Sequence, residues 1–259
     1  MTWDTFVWLL LNNASKYFLI AAPVFLIFYI LLRKNISFKK IQLKFPKGKD
    51  YFREIFFSTL SIIIFSVPPL LILFSEKIRP HSTFYQHLDE HGAFYFVMAF
   101  PLMLLIHDTY FYWVHRIMHS PWLFKMVHLV HHKSTNPSPW AAYAFHPLEA
   151  VFESLIFVIF LFTIPVHTAH LNFFFIFSLL YNVYGHLGFE IYPKGFSKHW
   201  LGKWINTSTS HNQHHQYFKG NYGLYFTIWD RLMGTMRPDY DESFASIKSR
   251  TKPEINKKA

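Results

Sequence analysis

Four long apolar runs, separated by short polar stretches, organise the chain. Residues 17–32 carry no charge, and residues 7–11 add apolar length before them. Residues 55–74 are apolar throughout, with Pro68-Pro69 placed to kink a helix. Residues 94–114 are apolar apart from His107 and Asp108. Residues 151–184 form an aromatic stretch broken near Pro165 by a His-Thr-Ala-His segment. A membrane span needs about 20 apolar residues, so the second and third runs qualify directly. The fourth is too long for one span and short for two, which predicts a helical hairpin over 151–184 with its tip near His167–His170. From about Leu187 onward the chain turns polar, with frequent Gly and Pro, and reads as a cap over the membrane part. The expected fold is all-α: an integral membrane helical bundle of about four spans or span-equivalents, with a histidine-rich helical cap. A single membrane domain covers 1–259, with a histidine-box core over 94–237 and a flexible tail over 238–259.

Composition sharpens this picture. Hydrophobic residues make up 52% of the 259 residues and charged residues 15%, against roughly 25% charged in soluble domains. The N-terminus has Asp4 and no Lys or Arg before Trp8, unlike the basic start of a signal peptide, so the first apolar segment reads as retained. The net charge of +10 fits nucleic acid or a membrane surface, and its placement selects the membrane. Residues 33–53 hold eight Lys/Arg and one acid, which assigns them to the cytoplasm. Following the spans from there leaves only Lys16, Lys77 and Arg79, of 25 Lys/Arg, on the outer side. The hairpin matters to this count. One long span at 151–184 would put His186 and everything after it opposite the earlier histidines, whereas a hairpin returns them to one cytoplasmic face.

Those histidines carry the chemistry. His115 and His119 form an HxxxH box, His128, His131 and His132 an HxxHH box, and His211, His214 and His215 a second HxxHH box, with His186 between. Helix positions i, i+3 and i+4 lie near one another on the helix surface, so each box can aim imidazoles at a common point. Nine ligands exceed what one metal takes, and two metals are the natural reading. The absence of cysteine excludes disulfides, thiolate zinc sites and iron–sulfur clusters. Imidazole suits several metals, so the donor set alone leaves the metal open.

Other polar residues near the boxes are candidates for holding the ligands, because a ligating imidazole usually donates its second N–H to a carboxylate or carbonyl. These are Asp108, Glu149, Glu190 and Asp230, with Glu190 equally suited to capping a turn and Asp230 to pairing with Arg231. Asn212 and Asn182 could reach a metal-bound water. His146 reads as either loop structure or ligand support. His107 lies eight residues before His115, about 12 Å deeper on a straight helix. It therefore falls outside a common metal cluster, as a buried hydrogen-bonded histidine, a channel-lining group or a ligand-orienting one.

The run HDTYFYWVHRIMHSPWLFKMVHLVHHKSTNPSPWAAYAFHPLE, with NVYGHLGFE and SHNQHHQYFKGNYGLYFTIWDRLMGT, resembles the fatty acid hydroxylase/sterol desaturase superfamily over roughly residues 95–237. The FHPLE box and the WDRLMGT ending are most similar to its sterol desaturase branch. The resemblance implies a membrane non-haem di-iron oxidoreductase with the nine boxed histidines as ligands. It would use O2 and two electrons to hydroxylate or desaturate a sterol-like or fatty-acyl lipid. Iron follows from the reaction, since zinc has no redox chemistry, although zinc could occupy the site after purification. There is no G-x-G-x-x-G pattern and no cysteine cluster, so a separate electron donor, a ferredoxin or b-type cytochrome, is expected. The multi-pass setting is a bacterial inner membrane or the endoplasmic reticulum. Two other classes compete. A histidine-rich metal transporter or metal-binding protein would place its ligands near the bilayer midplane, and a b-type haem protein would use paired histidines on facing spans.

Overall fold

The computed structural model describes residues 2–252. Helix α1 (Trp3–Phe25) starts at the Thr2 cap, whose Oγ1 accepts from Thr5 N, and continues as a π-helical turn through Leu31. Helix α2 (Gly48–Phe65) ends where Pro68 and Pro69 approach, and α3 (Val67–Leu73) restarts with proline in its first turn. There the prolines' missing N–H groups are harmless. Helix α4 (Gly92–Met118) is one rod despite Pro101. Three helices are thus long and apolar enough to cross a membrane: residues 3–31, 48–73 and 92–118. Large apolar side chains such as Leu19, Ile30, Phe94 and Val97 project from them exposed, as a lipid-facing surface does.

The 151–184 stretch is a hairpin of α6 (Pro147–Thr163) and α7 (Thr168–Gly185). Its turn falls at 164–167, slightly before the expected tip. Pro165 cannot continue the helix, Ile164 turns extended, and His167 and His170 form a capping box that starts α7. A two-residue parallel pairing ties Phe84–Tyr85 of the 75–92 loop to Val166–His167 at this turn. The loop after α3 and the hairpin tip therefore share one end of the bundle. The basic 33–53 segment lies at the other end with the histidine boxes: Ile41 N donates to Gly188 O (2.9 Å), and Gln42 Nε2 donates to Asn212 Oδ1 (2.9 Å).

Three features depart from the sequence reading. Residues 139–143 wind as a 3-10 turn in the centre of the bundle against α1, α2 and α7, with Ala141 and Ala142 fully buried. Its carbonyls are satisfied by side chains: Tyr17 and Ser58 hydroxyls donate to Trp140 O, and Asn182 Nδ2 donates to Ala142 O, as non-helical backbone at membrane depth requires. The second histidine box is not one helix but a π-turn (Phe124–His128) leading into α5 (Leu129–His132). The region 238–259, expected to be a flexible tail, contains a helix at Tyr240–Ser249 that buries Tyr240, Phe244 and Ile247 against the cap. Its apolar residues recur at i, i+4 and i+7, a period masked in the sequence by the surrounding Lys, Ser and Glu. Residues 253–259 of that tail lie outside the described residues. Helices α8 (Ser208–Tyr217) and α9 (Ile228–Leu232) complete the cap, and the terminal helix is α10.

Candidate metal centre

The nine boxed histidines converge in two groups. His115, His119, His128, His132 and His214 form one, and His131, His186, His211 and His215 the other; within each, the ligand nitrogens lie within 4.8 Å of one another. The HxxHH spacing explains the partition. At about 100° per residue, positions i and i+4 diverge by only about 40°, while i+3 points to the other side of i. So His128 and His132 face the first group and His131 the second, while His211 and His215 face the second group and His214 the first. Each HxxHH box thus supplies both groups, whereas the HxxxH box supplies only the first. His115 and His119 end α4, and His186 caps the C-terminus of α7.

Backbone and carboxylate acceptors fix the ring orientations. His115 Nδ1–H donates to Tyr222 O (2.9 Å), His186 Nδ1–H to Asn182 O (2.8 Å) and His214 Nδ1–H to Gly220 O (2.8 Å). His128 Nδ1 lies 2.6 Å from Glu149 Oε1. A carbonyl only accepts, so the proton sits on Nδ1 and Nε2 presents a lone pair. Yet His115 Nε2 lies 3.0 Å from His128 Nε2, and the Nε2 atoms of His186, His211 and His215 form a triangle of 3.1 Å edges. Imidazole nitrogens this close either share protons or surround something electrophilic. Edges of about 3.0–3.4 Å are those of imidazoles about 2.1 Å from a shared centre. His214 Nε2 is buried with no partner at all. Burial, then neighbouring imidazoles, hold His128, His131, His132, His211, His214 and His215 well below the ordinary imidazole range. They are neutral, as metal ligands must be, and the donor set fits two metal ions.

The remaining sequence candidates fall into place around this centre. Glu149 touches His128 directly. Asp230 accepts from Tyr222 N (2.9 Å), Gly223 N (2.8 Å) and Thr235 Oγ1 (2.7 Å), so it shapes the loop whose carbonyl holds His115. Asp108 accepts from Tyr225 N and Phe226 N and pins the same loop further along. Glu190 receives Thr209 N (3.0 Å) and Thr209 Oγ1 (2.8 Å) at the start of α8, so it caps the helix that bears the third box. Asn212 bonds Gln42 and leaves Nδ2 buried without a partner. His146 caps α6, accepting from Leu148 N (3.2 Å), and does not join either group. His107 is also outside them and bonds Tyr225 Oη through Nδ1 (2.9 Å). The acceptors Tyr222 O, Gly220 O and Asn182 O escaped the sequence reading because backbone carbonyls carry no residue-type signature. For Gly220 a signal existed: φ is +78°, and a Cβ there would meet Thr235 O at 2.6 Å.

A cavity of about 360 Å³ runs through the bundle beside the centre. Its inner end is lined by Phe111 and Phe145, whose rings lie 5.0 Å from His115 and His131 respectively, one against each group. Its far end reaches Lys16, Arg79, Gln86 and Asn172, near the hairpin tip. Fourteen of its 29 lining residues are Phe, Leu or Ile.

A membrane-type helical bundle carrying two adjacent all-histidine clusters beside an apolar cavity defines the class. Residues 100–235 match the fatty acid hydroxylase family. The chain is 32% identical over 203 residues to a Delta(7)-sterol 5(6)-desaturase of Gibberella zeae, covering 77% of this chain and 60% of that protein. It is 35% identical over 169 residues to a Delta(7)-sterol 5(6)-desaturase of Aspergillus fumigatus (65% and 46%) and 31% identical over 235 residues to human lathosterol oxidase (88% and 74%). The chain belongs to the fatty acid hydroxylase family, in its sterol desaturase branch. It spans about half to three-fifths of the length of the fungal relatives. No solved structure matches it.

Proposed function

We propose that the chain is an O2-dependent non-haem di-iron oxidoreductase that desaturates or hydroxylates a sterol-like or fatty-acyl lipid. The observation that carries this is the set of buried imidazole nitrogens gathered in two adjacent groups beside an elongated, largely apolar cavity. His115, His119, His128, His132 and His214 would hold one iron, and His131, His186, His211 and His215 the other. Iron, with O2, supplies the oxidising power that an unactivated C–H bond demands; zinc fits the same imidazoles but has no redox chemistry. The chain's own groups do the rest. Glu149, Tyr222 O, Asn182 O and Gly220 O hold imidazole tautomers, Asp230 and Asp108 fix the loop over them, and Phe111 and Phe145 separate lipid from ligands and keep water out. The lack of cysteine and of a dinucleotide-binding glycine pattern supports a separate electron donor, a ferredoxin or b-type cytochrome. The Lys/Arg distribution supports a cytoplasmic histidine end, in a bacterial inner membrane or the endoplasmic reticulum. Residues 94–237 would form the catalytic core of one membrane domain.

The test is metal analysis of anaerobically purified protein together with lipid product analysis under O2 with a reducing partner. About two irons per chain and an oxidised lipid are expected. His131→Ala and His214→Ala, one from each group, should each lower bound iron and abolish turnover in a folded protein. Full turnover in both variants would reject the proposal, as would metal flux across vesicles with no oxidised lipid.

A further inference from the structure

One carboxylate on the cavity wall has no partner among the described residues. Glu153 lies one helical turn beyond Glu149 on α6, on the same helix face and about 6 Å further from the histidines. Glu149 is committed to His128. Glu153 lines the cavity and, among the described residues, forms no side-chain hydrogen bond or ion pair. His107, from α4, lines the same cavity with its Nδ1 committed to Tyr225 Oη. Its Nε2 has no partner among the described residues. Phe157, Ile156 and Leu224 line the same cavity. An ionisable residue left unpaired at membrane depth is unfavourable and points to a ligand that completes it.

The cavity is chemically asymmetric. Its cationic residues, Lys16 and Arg79, are at the far mouth, where Lys16 Nζ donates to Asn172 Oδ1 (3.1 Å). Asn172 and Asn182, both in the wall, are ten residues apart on α7, about 15 Å. A lipid with an anionic head would stay at that mouth, where Lys16 and Arg79 can pair it, because the inner end offers no cation. A neutral hydroxyl suits the inner site, because it can both donate and accept, as the Glu153 carboxyl and His107 Nε2 on the same cavity wall require. Building on the proposed lipid oxidation, we infer that Glu153, positioned with His107, binds the hydroxyl of a hydroxylated lipid that enters hydroxyl first. The pair is a positioning device: it fixes the carbon presented past Phe111 and Phe145 as one near the hydroxyl, within the fused rings of a sterol rather than far along an acyl chain.

The test is equilibrium binding of tritiated lathosterol and its 3-O-methyl ether to the full chain in lipid nanodiscs, with and without iron. The ether keeps the shape and loses the donor. Wild type should bind the alcohol at least about tenfold tighter than the ether, as expected when a buried polar group loses its only hydrogen-bond partner. Glu153→Leu should bring the ratio to about one, Glu153→Gln should retain part of it, and Lys16→Met should leave it unchanged. Ether affinity and melting temperature, alike in all variants, control for folding. Equal binding of the two sterols by wild type, a preference that survives Glu153→Leu, loss of preference in Lys16→Met alone, or binding of neither sterol overturns the inference. Turnover is read separately. An alcohol preference that depends on Glu153, in a protein that oxidises no lipid when iron-loaded, rejects the oxidoreductase reading and leaves the hydroxyl site standing.

Discussion

At the residue scale the centre depends on which ring nitrogen carries the proton. Glu149 lies 2.6 Å from His128 Nδ1, and this contact keeps the Nε2 lone pair aimed at His115. Glu149→Gln preserves the volume but lets the amide present either a donor or an acceptor. We expect about 10- to 100-fold weaker metal binding, read by chelator competition, with little change in helix content. Acid should act on the whole set. The six cap histidines have folded pKa values held below the unfolded value of about 6.5, so the unfolded chain binds more protons as pH falls. Their contribution to stability is intact above about pH 6.5 and lost below it, each adding up to about 1.4 kcal/mol per pH unit. Thermal melts should therefore drop steeply below pH 6.5 and run flat just above it; an unchanged melting temperature down to pH 5 would contradict the assignment. The two histidine groups were legible in the sequence because HxxHH spacing is a helical geometry, and Glu149 because it is an acid close to the boxes. Glu153, one turn further along, was not singled out, because the sequence alone did not reveal the cavity that gives it a role.

At the scale of elements, the loop between α8 and α9 decides whether the two helical boxes meet. Gly220 presents its carbonyl to His214, and Asn221, also at positive φ (56°), donates through Nδ2 to Ser210 O (3.0 Å) and accepts from Arg237 N (2.8 Å). A side chain at Gly220 must endure a left-handed backbone, costing about 1–2 kcal/mol, and a collision with Thr235 O. Gly220→Ala should therefore shift the carbonyl and loosen the first metal group, which holds His214, while the second keeps its metal. Metal titration should show one of two sites weakened; two unaffected sites would show that the loop adapts freely. Apolar run length and the proline positions made the spans and the hairpin legible. The π-turn at Phe124–His128 and the buried 3-10 turn at 139–143 were not. Both depend on contacts from distant helices, such as Tyr17 and Ser58 donating to Trp140 O, that no local pattern encodes.

At the scale of the whole molecule, every connection sorts to one of two ends. The 75–92 loop pairs with the hairpin tip, while the basic 33–53 segment, all nine boxed histidines and the terminal helix α10 gather at the other. Arg250 Nη1 donates to Lys40 O (2.6 Å) and Lys248 Nζ to Glu190 O (3.1 Å), tying α10 across the cap. An odd number of crossings between His132 and His186 would have divided the histidines between the two faces, so the hairpin is what makes the metal centre possible in a membrane. The orientation of this bundle can be read directly because the chain contains no cysteine. Asp89, in the loop beside the hairpin tip, and Lys219, in the loop after α8, are both exposed and lie at opposite ends. Single variants Asp89→Cys and Lys219→Cys, expressed in intact cells, should react differently with a membrane-impermeant maleimide. Asp89→Cys should label from outside, and Lys219→Cys only after permeabilisation. The reverse pattern would invert the bundle and place the histidines away from any cytoplasmic electron donor, and labelling of both from one side would mean that the two ends do not face opposite sides of a membrane.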